Sequence, residues 1–171
     1  VTDLFGGQDD LRRGVIRSVG DPAERFAEDA LRMLRALRFA ARLSFRIDGE
    51  TAAAIHAART RLHAVAPERL HKELSGILCG RQAAALLEEF SDVLFELIPE
   101  LAPCQGFRQY NPHHTRDVWT HTLAVVDGVP PEEPLRLAAL LHDAGKPATF
   151  FFDKNLVGHF YGHPAAGAAV T

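Results

Sequence analysis

Apolar positions recur at helical spacing along most of the chain after residue 20. The clearest run follows Asp21-Pro22, a pair typical of a helix N-terminus, and continues through Phe26, Leu34 and Leu37. Similar patterns predict further helices at about 50–63, 67–79, 82–98, 114–128 and 131–145. We therefore predict an all-α fold.

Two segments depart from the helical pattern. Residues 1–20 contain the alternating stretch Val15–Val19, which predicts a short β remnant at the N-terminus. Residues 99–113 contain three prolines and one glycine, which favour a linker. The predicted parts are therefore 1–20, a helical bundle at 21–105 and a second helical unit at 106–171.

Composition, charge and cysteine content indicate which classes of protein fit the chain. The chain has 171 residues, 47% of them hydrophobic, and a net charge of −3, which neither requires nor excludes a polyanionic partner. No apolar run approaches the ~20 residues of a membrane span, so we expect no membrane partner. Two well-separated cysteines fit a reducing cytoplasm, where we expect the protein to act. Oligomeric state is left open.

The first long helix carries a basic face and an acid–base pair. Arg35, Arg38 and Arg42 are spaced to share one face, which is either a solvated surface or a track for a polyanion. Asp29 and Arg32, three residues apart, place an acceptor beside a donor fork. Such a fork pairs with cytosine or adenine, which offer an amino group beside a ring-nitrogen acceptor, and rejects guanine and uracil. The alternative is an ordinary surface ion pair.

The C-terminal third is rich in histidine. His142 and Asp143 end an apolar helix, where unpaired polar groups are costly to bury, and His121 lies on the preceding helix. Two packed helices could bring these three together around a divalent metal. His159 and His163 are further candidate ligands, although the neighbouring Gly158, Gly162 and Pro164 favour a loop.

Three motifs in the first 105 residues occur in the order of a known family. These are DLFGGQDDL with VIRSVGDP at residues 3–22, EDALR at 28–32 and ERLHKEL at 68–74. The chain resembles the neck of the bacterial-type tRNA nucleotidyltransferase/poly(A) polymerase family, the CCA-adding enzymes. The resemblance implies that Asp29 and Arg32 read CTP or ATP, that Arg69 and Glu73 brace the neck helices, and that tRNA is a partner.

The catalytic part of that family does not occur in this sequence. Its transferase site holds Mg²⁺ on a Gly-Ser and Asp-x-Asp stretch of a head domain, and no such stretch is found here. Residues 1–20 resemble the trailing edge of that head. We therefore expect a fragment of a nucleotidyltransferase, inactive alone, with no catalytic residue in this chain.

The histidine-rich end resembles the HD-domain superfamily, whose metal ligands follow an H…HD…D order. HTL at 121–123 and LLHDAGKP at 140–147 match its first two elements. This resemblance implies His121, His142 and Asp143 as ligands and a phosphate contact by Lys146. The closing Asp of the superfamily lacks a counterpart, which predicts weak metal binding or none.

Two other functions stay open at this point. One is a metal-dependent HD-type phosphohydrolase acting on nucleotides or cyclic phosphates, with residues 1–105 as an accessory bundle. The other is a non-catalytic helical module that binds RNA through its arginine face.

Overall fold

Helices dominate the computed structural model, which describes residues 3–110 and 115–169. The α-helices in these residues are α1 Gly7–Arg13, α2 Pro22–Glu28, α3 Leu31–Leu43, α4 Gly49–Ala58, α5 Pro67–Leu78, α6 Ala83–Glu89, α7 Ser91–Leu97, α8 Val118–Gly128, α9 Glu133–Leu141, α10 Lys146–Thr149 and α11 His163–Ala168. Two 3₁₀ helices cover Arg59–Ala64 and Pro99–Cys104. The all-α prediction is confirmed.

Within the described residues, four two-residue strands form two small sheets. They are β1 Val15–Ile16, β2 Arg46–Ile47, β3 Phe151–Phe152 and β4 Gly158–His159. The N-terminal β remnant is confirmed, and β1 pairs in parallel with β2, with Val15 opposite Arg46. The antiparallel β3–β4 hairpin replaces the loop expected around His159. No sequence pattern predicted it, because two-residue strands are too short to show alternation.

The first long helix is broken in two. Asp29 adopts an extended backbone, with φ −150° and ψ 103°, between α2 and α3. Its carboxylate Oδ1 accepts a hydrogen bond from the Leu31 amide at 3.1 Å, so the side chain competes with continued helical bonding. The continuous helix predicted from Asp21 is therefore wrong at this position. The helix predicted at 82–98 is likewise interrupted, at Phe90, between α6 and α7.

The chain divides into two compact units, Val1–Leu97 and Ile98–Thr171. In the first, α3 packs most extensively on α5. Gly80 permits this approach, because a Cβ there would lie 2.4 Å from the Ala41 Cβ and 2.8 Å from its carbonyl carbon. Leu34, Leu37 and Ile77 are buried between these elements.

The second unit has its own core beneath α8 and α9, which pack on each other. Trp119 and Leu140 are buried there, together with Leu101 and Cys104 of the preceding 3₁₀ helix. The described part of the predicted linker, residues 99–110, is therefore not a free connection, since it contributes apolar side chains to the second unit. The structure divides after Leu97, and the boundary that the sequence predicts after residue 105 stays a prediction.

No helix within residues 3–110 and 115–169 combines the length and the apolarity needed to cross a membrane.

Candidate nucleotide and metal sites

Asp29 lies at the junction of α2 and α3, where its carboxylate contacts a backbone amide and two arginine side chains. Its Oδ1 caps α3 through Leu31, while its Oδ2 lies 3.3 Å from the Arg69 guanidinium and 4.0 Å from that of Arg35. The side chain is 28% exposed. Because a carboxylate has about four acceptor positions, Asp29 retains capacity to accept from a ligand.

Arg32 is the second residue of α3, and its side chain contacts residues of α2. One of its terminal nitrogens donates to the Glu28 carboxylate and to the Arg25 carbonyl. Among the described residues, these side-chain partners do not include the Asp29 carboxylate, although the Arg32 amide donates to the Asp29 carbonyl at 3.1 Å. The other donors of the Arg32 fork stay available, since a guanidinium has five.

A cleft of about 340 Å³ opens beside Arg32. Its lining residues include four arginines, Arg17, Arg25, Arg32 and Arg35, and the exposed Phe39, whereas Asp29 is not among them. A cavity of this size suits a small ligand, and clustered arginines with one aromatic ring suit an anionic ligand that carries a flat group.

Arg69 and Glu73, on α5, reach across to other elements. Arg69 pairs with Asp29 at 3.3 Å, and the buried Glu73 accepts from the Arg38 guanidinium at 2.5 Å. Arg35 lies 3.6 Å from the same carboxylate. These contacts join α5 to α3 and to the α2–α3 junction.

The three arginines of the basic face differ in what they contact. Arg38 is half-buried between Glu73 and the Phe39 ring, whose centroid lies 4.4 Å from the guanidinium carbon. Arg35 and Arg42 are exposed. The side chains best placed for an external polyanion are therefore those of Arg35 and Arg42.

In the second unit, α8 and the end of α9 bring His121, His142 and Asp143 together. One ligand atom from each lies within 4.8 Å of the others. Asp143 Oδ2 lies 3.0 Å from Nε2 of His142 and 3.6 Å from Nε2 of His121. The packing of α8 on α9 thus produces the juxtaposition expected from the sequence.

The imidazole of His142 is oriented by the helix that precedes it. Its Nδ1 donates to the Ala139 carbonyl at 2.8 Å, which leaves Nε2 to face Asp143. His163, at the start of α11, is held in the same way by the Phe160 carbonyl, and its Nε2 lies 3.6 Å from Asp143 Oδ1. Such outer contacts fix the tautomer and direct the remaining nitrogen at a metal.

The Asp143 carboxylate is buried, with only 2% of the residue exposed. Burial by itself raises the pKa of Asp143, but the neighbouring His142 and Lys146 outweigh it and hold that pKa at about 2. The hydrogen bond to Asp143 in turn raises the pKa of His142. The carboxylate is therefore ionised at neutral pH, as a metal ligand must be.

The chemistry of the donor set tests whether a metal fits. Asp143 Oδ2 is buried and lies 2.8 Å from Lys146 Nζ and 3.0 Å from His142 Nε2. A buried carboxylate is costly unless it is paired, and Lys146 already supplies one cation. Imidazole nitrogens beside a carboxylate are the donors that zinc, iron and nickel favour. The residues present therefore fit a divalent transition metal.

Two side chains near the cluster have partners that the sequence did not indicate. The ammonium of Lys146 is buried, donates to the Gln109 side chain at 2.8 Å and lies beside Asp143. The imidazole of His159 pairs with Asp153 at 3.2 Å. Nothing in the sequence indicated Gln109, a polar residue in a segment that reads as a linker. His113 and His114 lie outside the described residues.

Comparisons with known proteins identify proteins that are similar to this chain. Residues 44–104 match the model described as the probable RNA and SrmB-binding site of polymerase A. A CCA-adding enzyme of Ligilactobacillus salivarius is 38% identical over 128 residues, covering 70% of this chain and 32% of the relative. A multifunctional CCA protein of Nitrosococcus oceani is 38% identical over 177 residues, covering 99% and 42%. A solved tRNA-processing enzyme with CTP matches with a TM-score of 0.59 at 28% identity, covering 84% of this chain and 41% of its own.

Over 99% of its length the chain is similar to a multifunctional CCA protein, and residues 44–104 match the polymerase A model. The chain spans about a third to two fifths of the length of these curated relatives. The segment matched by the family model contains Arg69 and Glu73, whereas Asp29 and Arg32 precede it. The nucleotidyltransferase relatives therefore account for both units of the fold, since the Nitrosococcus protein aligns with nearly the whole chain.

Proposed function

We propose that this chain is the base-selecting neck, with the start of an HD-type unit, of an enzyme that completes the 3′ end of tRNA from CTP and ATP. The observation that carries the proposal is the α2–α3 junction, where Asp29 lies three residues before Arg32 and Arg32 lines the arginine-rich cleft. The names of the relatives, CCA-adding enzymes, support the reaction, and the solved relative with CTP supports the substrate.

The junction reads the base by complementary hydrogen bonds. Asp29 accepts from the exocyclic amino group of cytosine or adenine, while Arg32 donates to the adjacent ring nitrogen. Guanine and uracil present the opposite polarity, which would leave both groups unpaired, at a cost of about 1–3 kcal/mol each. The break in the helix at Asp29 aids this role, because it frees the carboxylate from the regular helix surface.

The other charged residues of the first unit have supporting roles in this proposal. Arg69 and Glu73 brace the neck by holding Asp29 and Arg38. Arg35 and Arg42, with the remaining edge of Arg38, face the tRNA backbone. The transfer itself, with its Mg²⁺, belongs to other parts of the full-length enzyme, and this chain alone is inactive as a transferase. We place that enzyme in the cytoplasm, where tRNA is processed.

The reaction is tested on the full-length protein that contains this chain. The protein is incubated with Mg²⁺, a tRNA that lacks its 3′-terminal CCA, and CTP, ATP, GTP or UTP, singly and together. We expect extension with C and A and none with G or U. Extension with all four nucleotides, or with none, would contradict the proposal.

A second function is favoured by a separate observation: the Asp143 carboxylate is buried, and the Nε2 atoms of His121, His142 and His163 lie 3.0–3.6 Å from its oxygens. We propose that His121, His142 and Asp143, with His163 adjacent, hold a divalent metal for phosphoester hydrolysis. His159, which pairs with Asp153, is the weakest of the candidate ligands. When bound, such a metal supplies Lewis-acid polarisation of a phosphoryl oxygen. Lys146 keeps Asp143 ionised and oriented.

Hydrolysis is measured with p-nitrophenyl phosphate and 2′,3′-cyclic AMP after addition of Zn²⁺, Ni²⁺ or Mn²⁺. Turnover that is lost in His142→Ala, and retained in a variant of a surface histidine of the first unit such as His63→Ala, would support the second function. Metal binding without turnover on either substrate would limit the cluster to a structural role.

A further inference from the structure

Gln109 is a buried polar residue in the segment that precedes α8. Only 2% of it is exposed, although the sequence around it favours a linker. Its side-chain Nε2 donates to the Arg116 carbonyl at 3.2 Å, and its Oε1 accepts from the Lys146 ammonium at 2.8 Å. Because the amide is bonded at both ends, its oxygen stays directed at the lysine.

The backbone of Gln109 is held as closely as its side chain. A Cβ at Gly158 would lie 2.4 Å from the Gln109 carbonyl oxygen, so β4 approaches at a distance that only glycine permits. The Gly158 amide also donates to the Tyr110 carbonyl at 2.8 Å. Gln109 therefore cannot move away from Lys146 unless the β3–β4 hairpin moves as well.

The Lys146 ammonium is buried between two oxygens of different kinds. Its Nζ lies 2.8 Å from the amide oxygen of Gln109 and 2.8 Å from Asp143 Oδ2. The ring of Phe160, whose centroid is 5.3 Å from Nζ, lies on a further side. A buried ammonium is costly unless it is paired, and Asp143 supplies the opposite charge. Gln109 supplies a neutral acceptor that is not one of the candidate metal ligands.

The carboxylate oxygen that pairs with Lys146 is also the one that faces the candidate ligands. Asp143 Oδ2 lies 3.0 Å from His142 Nε2 and 3.6 Å from His121 Nε2. A divalent cation held by these atoms would share this oxygen with the ammonium, and like charges repel strongly in a buried site. Lys146 thus already pairs with the anion that a metal would need.

We infer that Lys146 competes with the metal for Asp143, and that Gln109 is a positioning residue that lets the ammonium and the metal share this carboxylate. The ammonium keeps its hydrogen bond to Gln109 while Asp143 serves as a ligand, so it stays buried with one acceptor intact. Without Gln109 the ammonium depends on Asp143 alone, and weakening that pair adds to the cost of metal binding. The inference rests on the second proposed function and names two residues that set its metal affinity.

The test is a double-mutant cycle on the Zn²⁺ Kd, measured by calorimetry on the intact chain. Its variants are Gln109→Met, Lys146→Met and the two together, because methionine is unbranched and similar in length to both residues. Lys154→Met, at an exposed lysine, controls for the change in net charge, and Gln105→Met controls for the loss of an exposed amide. His142→Ala measures any zinc that binds elsewhere.

Lys146→Met should bind Zn²⁺ about ten-fold more tightly or better, since a competing cation is removed while the contact between His142 and Asp143 remains. Lys154→Met should keep the wild-type Kd. Gln109→Met should raise the Kd about three-fold or more when Lys146 is present, and by less than about two-fold in the Lys146→Met background. A residue that only supports the fold would raise the Kd equally in both backgrounds, which would overturn the role of Gln109.

A Zn²⁺ Kd that is unchanged or raised in Lys146→Met overturns the competition, and this result does not depend on whether Gln109→Met folds. The expected pattern of Kd values without hydrolysis of p-nitrophenyl phosphate or 2′,3′-cyclic AMP would support the inference and refute the hydrolytic function. Hydrolysis with equal effects of Gln109→Met in both backgrounds would do the reverse. No Zn²⁺ binding in any variant would refute both.

Discussion

At the scale of single residues, Asp143 shows how a buried charge is used. It is surrounded by His121, His142, His163 and Lys146, and its pKa of about 2 keeps it ionised at any physiological pH. Isolated, such a carboxylate would be costly to bury. Its cost is offset by one buried ammonium and, in the second function that we propose, by a metal.

Replacing Asp143 by Asn tests this arrangement without changing the volume of the side chain. Zn²⁺ affinity should fall at least ten-fold because a ligand charge is lost. The free energy of unfolding of the metal-free protein should also fall, by about 3 kcal/mol, since Lys146 is left buried without its anion. Calorimetry and urea unfolding measure the two effects.

Asp9→Asn is the matched control, because Asp9 is 72% exposed on α1 and pairs with Arg12, which is itself 69% exposed. It should change neither the Zn²⁺ affinity nor, by more than about 1 kcal/mol, the free energy of unfolding. Unchanged Zn²⁺ affinity in Asp143→Asn would remove Asp143 from the cluster.

Residue types and spacing predicted part of these sites. His121 and His142–Asp143 could be paired from the sequence, because two apolar helices with a short connection pack on each other. The orientation of the His142 ring could not be predicted, since it depends on a hydrogen bond to the backbone carbonyl of Ala139. Asp29 was placed within a helix, whereas its side chain caps α3 and breaks the chain there, an effect of one hydrogen bond that periodicity does not reveal.

At the scale of elements, two glycines set how closely helices approach. Gly80 lets the end of α5 contact the end of α3, and Gly145 lets the segment before α10 contact α11. Helical periodicity predicted most of the elements that pack here. The close approaches depend on three-dimensional crossings of the backbone, so the sequence alone gave no signal that distinguished these glycines from others.

Gly80→Ala should destabilise the first unit. The new Cβ would lie 2.4 Å from the Ala41 Cβ and 2.9 Å from its carbonyl oxygen, so backbone must move, at a cost of about 1–3 kcal/mol. Gly49→Ala is the control, because no atom lies within 4 Å of its added Cβ. Thermal or urea unfolding should show a loss only for Gly80→Ala, and equal stability of the two variants would contradict the packing of α3 on α5.

Gly145→Ala should weaken metal binding although it removes no ligand. Its Cβ would meet the His163 carbonyl oxygen at 2.3 Å and the Gly167 amide nitrogen at 2.5 Å, which forces α11 and His163 away. We expect a Zn²⁺ Kd raised several-fold. Gly128→Ala, with open space around its Cβ, should leave the Kd unchanged. If Gly145→Ala binds Zn²⁺ as wild type does, His163 has no part in the cluster.

At the scale of the whole molecule, the chain consists of two units with different chemistry. The first concentrates arginines around a break between helices, and the second concentrates histidines around one buried carboxylate. Helical periodicity predicted the fold class, and three motifs in order indicated the family. The division at Leu97 could not be predicted from the sequence, because the proline-rich segment after it folds into the second core.

The central claim is that the Asp29–Arg32 junction selects the base, and it is tested most directly by the nucleotide preference of the full-length enzyme carrying Asp29→Ala. Loss of the α3 cap or of the pair with Arg69 would slow all four nucleotides alike, so the decisive quantity is a ratio. Arg69→Ala removes the ion pair but keeps the carboxylate, and Glu24→Ala removes an exposed charge from α2.

The measurement is kcat/KM for incorporation of each nucleotide into tRNA that lacks its 3′ end. We predict that Asp29→Ala lowers the preference for C and A over G and U by about five-fold or more, as expected for losing about 1–3 kcal/mol of hydrogen-bond discrimination. Arg69→Ala and Glu24→Ala should keep the wild-type preference. An unchanged preference in Asp29→Ala would contradict the account.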